Sequence, residues 1–338
     1  MPTPQDHIKN IEKFNSKINH LFDVIVDEVI RLGLTREDLI KNNRFSFDNL
    51  PGTKRIARQL FAELGAELTK ELKAQIAFSF SESDKRLQEF MRERGVPGIE
   101  IEKLNKVSNS AILQFQNRRV NGLGLSDRVW QISSGFKSQI ENTIGIAIQS
   151  GMDSRSLAIQ LKPMLKEPDK LFRRVRNDKG ILRLSQAAKE FNPGQGTYRS
   201  SYKNAHRLAR TEINMGYNQA ANHRYQTLDF IVGVQIRLSH SHTDCDVCDK
   251  LKGKYPKDFV FKGWHPQCMC HSIPIMKTRD EMSRDAERVK KGLEPLPSVN
   301  EVKDIPDFMK NWINTNKDSL YRMKELPYFV SDNNLLGS

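Results

Sequence analysis

All four cysteines of this 338-residue chain, Cys245, Cys248, Cys268 and Cys270, fall inside one 26-residue window. Chance placement of every cysteine in so short a stretch is rare, so the cluster constrains the fold more than any other feature. The spacing is Cys245-x2-Cys248-x19-Cys268-x-Cys270, with His265 three residues before Cys268. A Cys-x2-Cys pair on a tight turn brings two thiolates onto one ion, each at about 2.3 Å. Residues at i and i+2 of an extended segment point the same way, so Cys268 and Cys270 complete a tetrahedron. Zn2+ accepts four thiolates, or three and an imidazole. The candidates are therefore Cys245, Cys248, His265, Cys268 and Cys270, four of the five, with His242 as a substitute. Clustered thiols of this kind in a reducing compartment point to metal rather than disulfides.

A catalytic zinc needs an open position and a neighbouring general base. Asp244, Asp246 and Asp249 are close in sequence, but neither His-Glu-x-x-His nor the zinc deaminase signature is present. The expected site is closed and structural, and the expected protein is not an enzyme. The alternative is a metal-dependent hydrolase or toxin-like effector that uses the Cys/His site, with His240, His242 and His271 nearby.

The rest of the chain reads as mostly α. Ile8, Ile11, Phe14, Ile18, Leu21, Ile25, Val29 and Leu32 recur at helical spacing from Asp6 to Leu32, in a narrow stripe suited to a seam between helices. A turn holding Pro51-Gly52 follows, then a helix from Lys54 to Arg94 and a third stretch from Glu100 to Arg119. Further helices are expected from Ser126 to Ser150, Leu157 to Leu165, Ser200 to Leu228, Arg279 to Lys291 and Val302 to Asn314, before a polar tail. Val232 to Leu238 alternates as a strand, and Ser272 to Met276 forms another. The divisions are a helical arm (1–124), a central domain (125–276) with a basic insert (162–199) and a small α+β zinc module (240–276), and a helical tail (277–338).

Lys and Arg exceed Asp and Glu by 54 to 41, a net charge of +13. Between Lys162 and Arg210 the chain carries 13 Lys or Arg against 4 acidic residues. Such an excess suits a polyanion or an acidic protein surface. The expected nonspecific phosphate contacts are Arg173, Arg174, Arg176, Lys179, Arg199 and Lys203, with Tyr198 and Tyr202 interleaved for stacking on bases; the other reading is a solvated loop whose aromatics pin it to the core. No apolar run approaches the roughly 18 to 20 residues that span a bilayer, and no signal peptide is read at the N-terminus, so the expected place of synthesis is a cytoplasm.

Several motifs taken in order resemble the Mu-F-like phage head morphogenesis, or minor head, proteins. They are Ala209-Arg210-Thr211-Glu212-Ile213-Asn214 with Tyr217-Asn218-Gln219-Ala220, then Asp244-x-Asp246-Val247-Cys248 and Leu251-Lys252-Gly253-Lys254-Tyr255. Gly263-Trp264-His265-Pro266-Gln267-Cys268-Met269-Cys270 closes the series. The likeness covers residues 125–276 and includes Gly151-Met152-Asp153-Ser154. It implies a minor structural protein of a tailed phage or prophage, made in the host cytoplasm and carried inside the virion head near the portal. There it would assist DNA packaging or delivery, with the portal and other head proteins as partners and self-association through the N-terminal helices. Arg210, Thr211 and Glu212 are expected to be structural, Arg210 hydrogen-bonding carbonyls of the zinc loop.

Overall fold

A computed structural model describes residues 4–33, 53–93, 115, 117–120, 122–149, 154–168, 174–176, 179–184, 198–239 and 245–337. Among these the chain is mostly helical, with a small antiparallel sheet beside the Cys/His cluster. The helices are α1 (Pro4–Gly33), α2 (Thr53–Glu93), α3 (Leu125–Gln149), α4 (Ser154–Lys166), α5 (Ser201–Gln226), α6 (Asp246–Leu251), α7 (Arg279–Lys290), α8 (Asp307–Tyr321) and α9 (Tyr328–Ser331). The strands are β1 (Arg174–Arg176), β2 (Leu182–Leu184), β3 (Ile231–Arg237), β4 (Gly253–Tyr255) and β5 (His271–Met276). The expected turn at Pro51-Gly52 and nearly all of the stretch from Glu100 to Arg119 lie outside the described residues.

The described chain packs as two compact units, each assembled from separate stretches. One comprises residues 12–70 and 122–209. Its core is the α1 stripe Phe14, Ile18, Phe22, Ile25, Val26 and Val29, with Leu60, Leu64 and Leu68 of α2 and Phe136, Ile140 and Ile144 of α3. Phe22 stands edge-on to Phe136 with ring centroids 4.6 Å apart. The buried Gln139 joins two helix ends: its amide donates to Leu165 O at the end of α4 (2.7 Å) and its carbonyl accepts from Ser201 N at the start of α5 (2.8 Å). Helix termini leave backbone groups without intrahelical partners, so one buried amide answers a donor and an acceptor at once. Part of the basic stretch is also regular here, since β1 and β2 pair antiparallel, with Val175 opposite Arg183.

The second unit comprises residues 1–11, 71–121 and 210–338. Its sheet runs β4-β3-β5, all antiparallel, with Val234 opposite Tyr255 and Pro274. One apolar core continues from α5 (Ala221, Tyr225) through β3 (Ile231, Val234, Ile236) to Tyr255, Phe259, Phe261 and Trp264. It ends on Met309, Ile313 and Leu320 of α8 and Phe329 and Val330 of α9. Helix α8 begins at Asp307 and not at Val302, because Pro306 restricts the residue before it to extended backbone. Val302 instead donates its N–H to Val232 O at 3.1 Å, alongside β3. The tail is also less polar in role than it reads. Asn333 pairs with both backbone groups of Val260, accepting from its N–H at 2.7 Å and donating to its carbonyl at 2.9 Å. Trp264 meets Phe329 edge-on at 5.1 Å.

Candidate metal centre

The first cysteine pair stands on the first turn of α6. Cys245 is its N-cap and Cys248 lies one turn on, so both sulfurs share a face. The turn is closed by Asp249 N donating to Cys245 O at 2.9 Å and Lys252 N to Cys248 O at 3.1 Å. Below it, the Tyr255 hydroxyl donates to Leu251 O at 2.6 Å. The second arm is a tight turn from Gly263 to Cys270, in which Cys268 N donates to His265 O at 3.0 Å. Two residues there have positive φ, Gly263 at 141° and Gln267 at 65°. A Cβ on Gly263 would sit 3.3 Å from Cys268 Cβ, so glycine serves both the backbone angle and the close approach. Gln267 is held in its left-handed conformation by its N–H, which donates to Thr211 Oγ1 at 2.9 Å.

All five expected donors come together around Cys248. Cys245, Cys248 and His265 form one triad and Cys248, Cys268 and Cys270 another, each with donor atoms within 4.8 Å of one another. His265 Nε2 lies 3.2 Å from Cys245 Sγ and 3.1 Å from Cys248 Sγ, and Cys248 Sγ lies 3.9 Å from Cys268 Sγ. Thiolates bound tetrahedrally at about 2.3 Å lie about 3.8 Å apart, so these residues fit a metal ion of that size. The His265 tautomer suits it as well. Nδ1 is 2.7 Å from Pro266 O, which can only accept, so Nδ1 carries a proton and Nε2 turns its lone pair to the sulfurs. His242 lies outside the described residues.

The electrostatics of the cluster suit a cation. Cys248, Cys268 and Cys270 are all buried and free of disulfides. Hydrogen bonds to Cys268 and then Cys270 push the Cys248 thiol up, while the same contact from Cys248 holds Cys268 well below the ordinary thiol range. In chemical terms one thiolate takes donors from its neighbours, and further ionisation meets repulsion from it. A bound cation removes that repulsion and deprotonates the set.

The knuckle is braced by α5. Asn214, Asn218 and Asn222 recur one turn apart on one face, all buried. Asn214 Nδ2 donates to Cys268 O at 2.6 Å, Asn218 Nδ2 to Cys270 O at 3.1 Å, and Asn222 Nδ2 to Phe261 O at 2.5 Å. These asparagines bind the knuckle carbonyls, and among the described residues Arg210 Nε is buried without a hydrogen-bond partner. Glu212 is buried and takes Arg118, whose guanidinium nitrogen is 2.8 Å from both carboxylate oxygens. The asparagine ladder was missed in the sequence, although three poor helix formers at i, i+4 and i+8 were a usable signal.

The basic candidates are placed as follows. Arg173 lies outside the described residues, and Arg174 and Arg176 are on β1. Lys179 is exposed at the hairpin turn and Arg199 is half-buried. Lys203 pairs with Glu167 at 2.8 Å. Tyr198 is 41% exposed, but Tyr202 is 2% exposed and its hydroxyl donates to Asp23 at 2.8 Å. Tyr202 is therefore a core residue and not a platform for bases. No described helix is long and apolar enough to cross a membrane.

Comparison of the chain with models of known protein families, with characterised proteins and with solved structures finds no match.

Proposed function

We propose that this chain is a minor head protein of a tailed phage or prophage, carried inside the capsid near the portal, with a closed structural zinc site. One observation carries the reading. The widely separated motifs that resemble the Mu-F-like proteins meet at one place: Thr211 takes Gln267 N, Asn214 takes Cys268 O, and the Cys-x2-Cys turn faces His265. Five donors for four positions, three of them buried sulfurs, favour a closed ion over one that keeps a reactive water. Zinc is the metal assigned because thiolates with one imidazole in tetrahedral array are its characteristic set.

The charge of +13 supports contact with DNA phosphates during packaging or delivery. The test is co-expression of the full chain with the head and portal proteins of the phage or prophage that encodes it, followed by affinity purification and mass spectrometry. Stoichiometric recovery of the portal protein is expected. Recovery of the chain alone, under conditions where the portal assembles, would contradict the reading.

A further inference from the structure

Outside the knuckle, one buried polar cluster of the second unit is centred on His7 in the first turns of α1. Its Nδ1 lies 2.8 Å from Gln75 Oε1 and its Nε2 3.1 Å from Asn214 Oδ1. The ring stacks on Tyr217, with centroids 4.0 Å apart and planes 17° apart. A neutral imidazole carries one N–H and so donates to only one of the Gln75 and Asn214 oxygens. Asn214 is the amide fixed as acceptor, because its Nδ2 donates to Cys268 O at 2.6 Å and reaches Cys270 O at 3.4 Å, so the His7 proton sits on Nε2 and Gln75 must turn its NH2 to Nδ1. A single planar amide, Asn214, therefore holds the knuckle carbonyls with one end and His7 with the other.

We infer that Asn214 and His7 couple metal occupancy of the knuckle to the docking of the first turns of α1. This inference rests on the proposed zinc centre. The Cys268 carbonyl has its position set by the ligand turn on which it sits. If the turn relaxes, the Asn214 amide loses the partner that fixes its plane, and its oxygen no longer meets His7 in register. His7 then has a buried ring nitrogen without a fixed partner, a state that costs enough to loosen the residues around it. Coupling between sites is reciprocal, so whatever weakens the His7 contact must weaken metal binding by the same factor. For a link made through one amide, a factor of about 5 to 100 is expected.

The experiment is hydrogen exchange on the full chain, zinc-loaded against chelator-stripped, with zinc content measured in the same samples. Exchange in residues 4–11 is expected to speed up on stripping, while residues 125–149 stay unchanged. His7→Ala should weaken zinc binding by the stated factor in competition with a chromophoric chelator. Asn214→Ala should leave exchange in 4–11 insensitive to zinc. If that variant does not fold, His7→Ala decides alone. Stoichiometric zinc with unchanged exchange in 4–11, an equal rise over 125–149, or unaltered zinc affinity in His7→Ala would each overturn the coupling and leave the zinc centre standing. A chain that takes up no zinc would overturn both.

Discussion

Replacing Asn218 by alanine removes a side chain that is 0% exposed and that joins α5 to the knuckle and to β5. Its Nδ2 donates to Cys270 O at 3.1 Å, and its Oδ1 accepts from Ser272 N at 3.4 Å. A methyl group in its place would offer neither contact, so two buried backbone groups lose a partner. Each such group costs about 1–3 kcal/mol. Cys270 O retains a long contact with Asn214 at 3.4 Å, which places its loss at the lower end. Alanine gives back roughly 0.5 kcal/mol of helix propensity. The net expectation is a loss of about 1.5–3.5 kcal/mol, read as a fall in urea midpoint with an unchanged m-value. Asn218→Asp is expected to cost more, because a carboxylate would set negative charge against the Cys270 carbonyl. A loss below about 0.5 kcal/mol for Asn218→Ala would refute the claim that the ladder braces the knuckle.

Three further outcomes are expected. Phe329→Ala opens the core beneath Trp264 and should cost about 3–5 kcal/mol by chemical denaturation; a value near zero would show that the tail does not seal the module. Gly263→Ala must place a Cβ at a φ of 141° and against Cys268, so a loss on the order of 1–3 kcal/mol is expected, with weaker metal retention under chelator challenge. Burial lowers the His7 pKa to about 4, against hydrogen bonds to Gln75 and Asn214 that raise it. The unfolded chain, at about 6.5, then binds the proton more readily, so this contribution is complete above pH 6.5 and fades towards pH 4. About 3 kcal/mol of pH-dependent stability should disappear from the difference between wild type and His7→Phe, and parallel pH profiles for the two proteins would contradict it.

The elements most legible in the sequence were those with a strong local period. The α1 stripe from Ile8 to Val29 and the alternation of Val232 to Leu238 gave helix and strand within a residue or two, because one face of each is buried. The five metal candidates were legible because thiols and imidazole at such spacing have few other uses. What decided the rest was tertiary. The role of Asn214, Asn218 and Asn222 depends on carbonyls that lie 39 to 56 positions away along the chain. Tyr202 reads as an exposed aromatic among basic residues, yet Asp23 of α1 supplies its partner. Likewise, the core of the module extends beyond its own Leu251, Tyr255, Phe259, Phe261 and Trp264. They are joined by Met309, Ile313, Leu320 and Phe329 from a tail that looks polar on its own. The knuckle is thus held by an apolar core, whatever ion its Cys and His donors bind. Loss of a ligand such as Cys248 should therefore loosen the turn more than it unfolds the unit.

Zinc content tests the central claim most directly. The full chain, purified under reducing conditions without chelator, should carry about one zinc per chain by mass spectrometry of the metal, retained through dialysis. Structural zinc binds thiolate-rich sites with on the order of 10 kcal/mol of free energy, so the ion should survive purification. Cys248→Ser, which removes the donor common to both triads, should lose it. A wild-type chain with no bound metal and four titratable thiols would contradict the account.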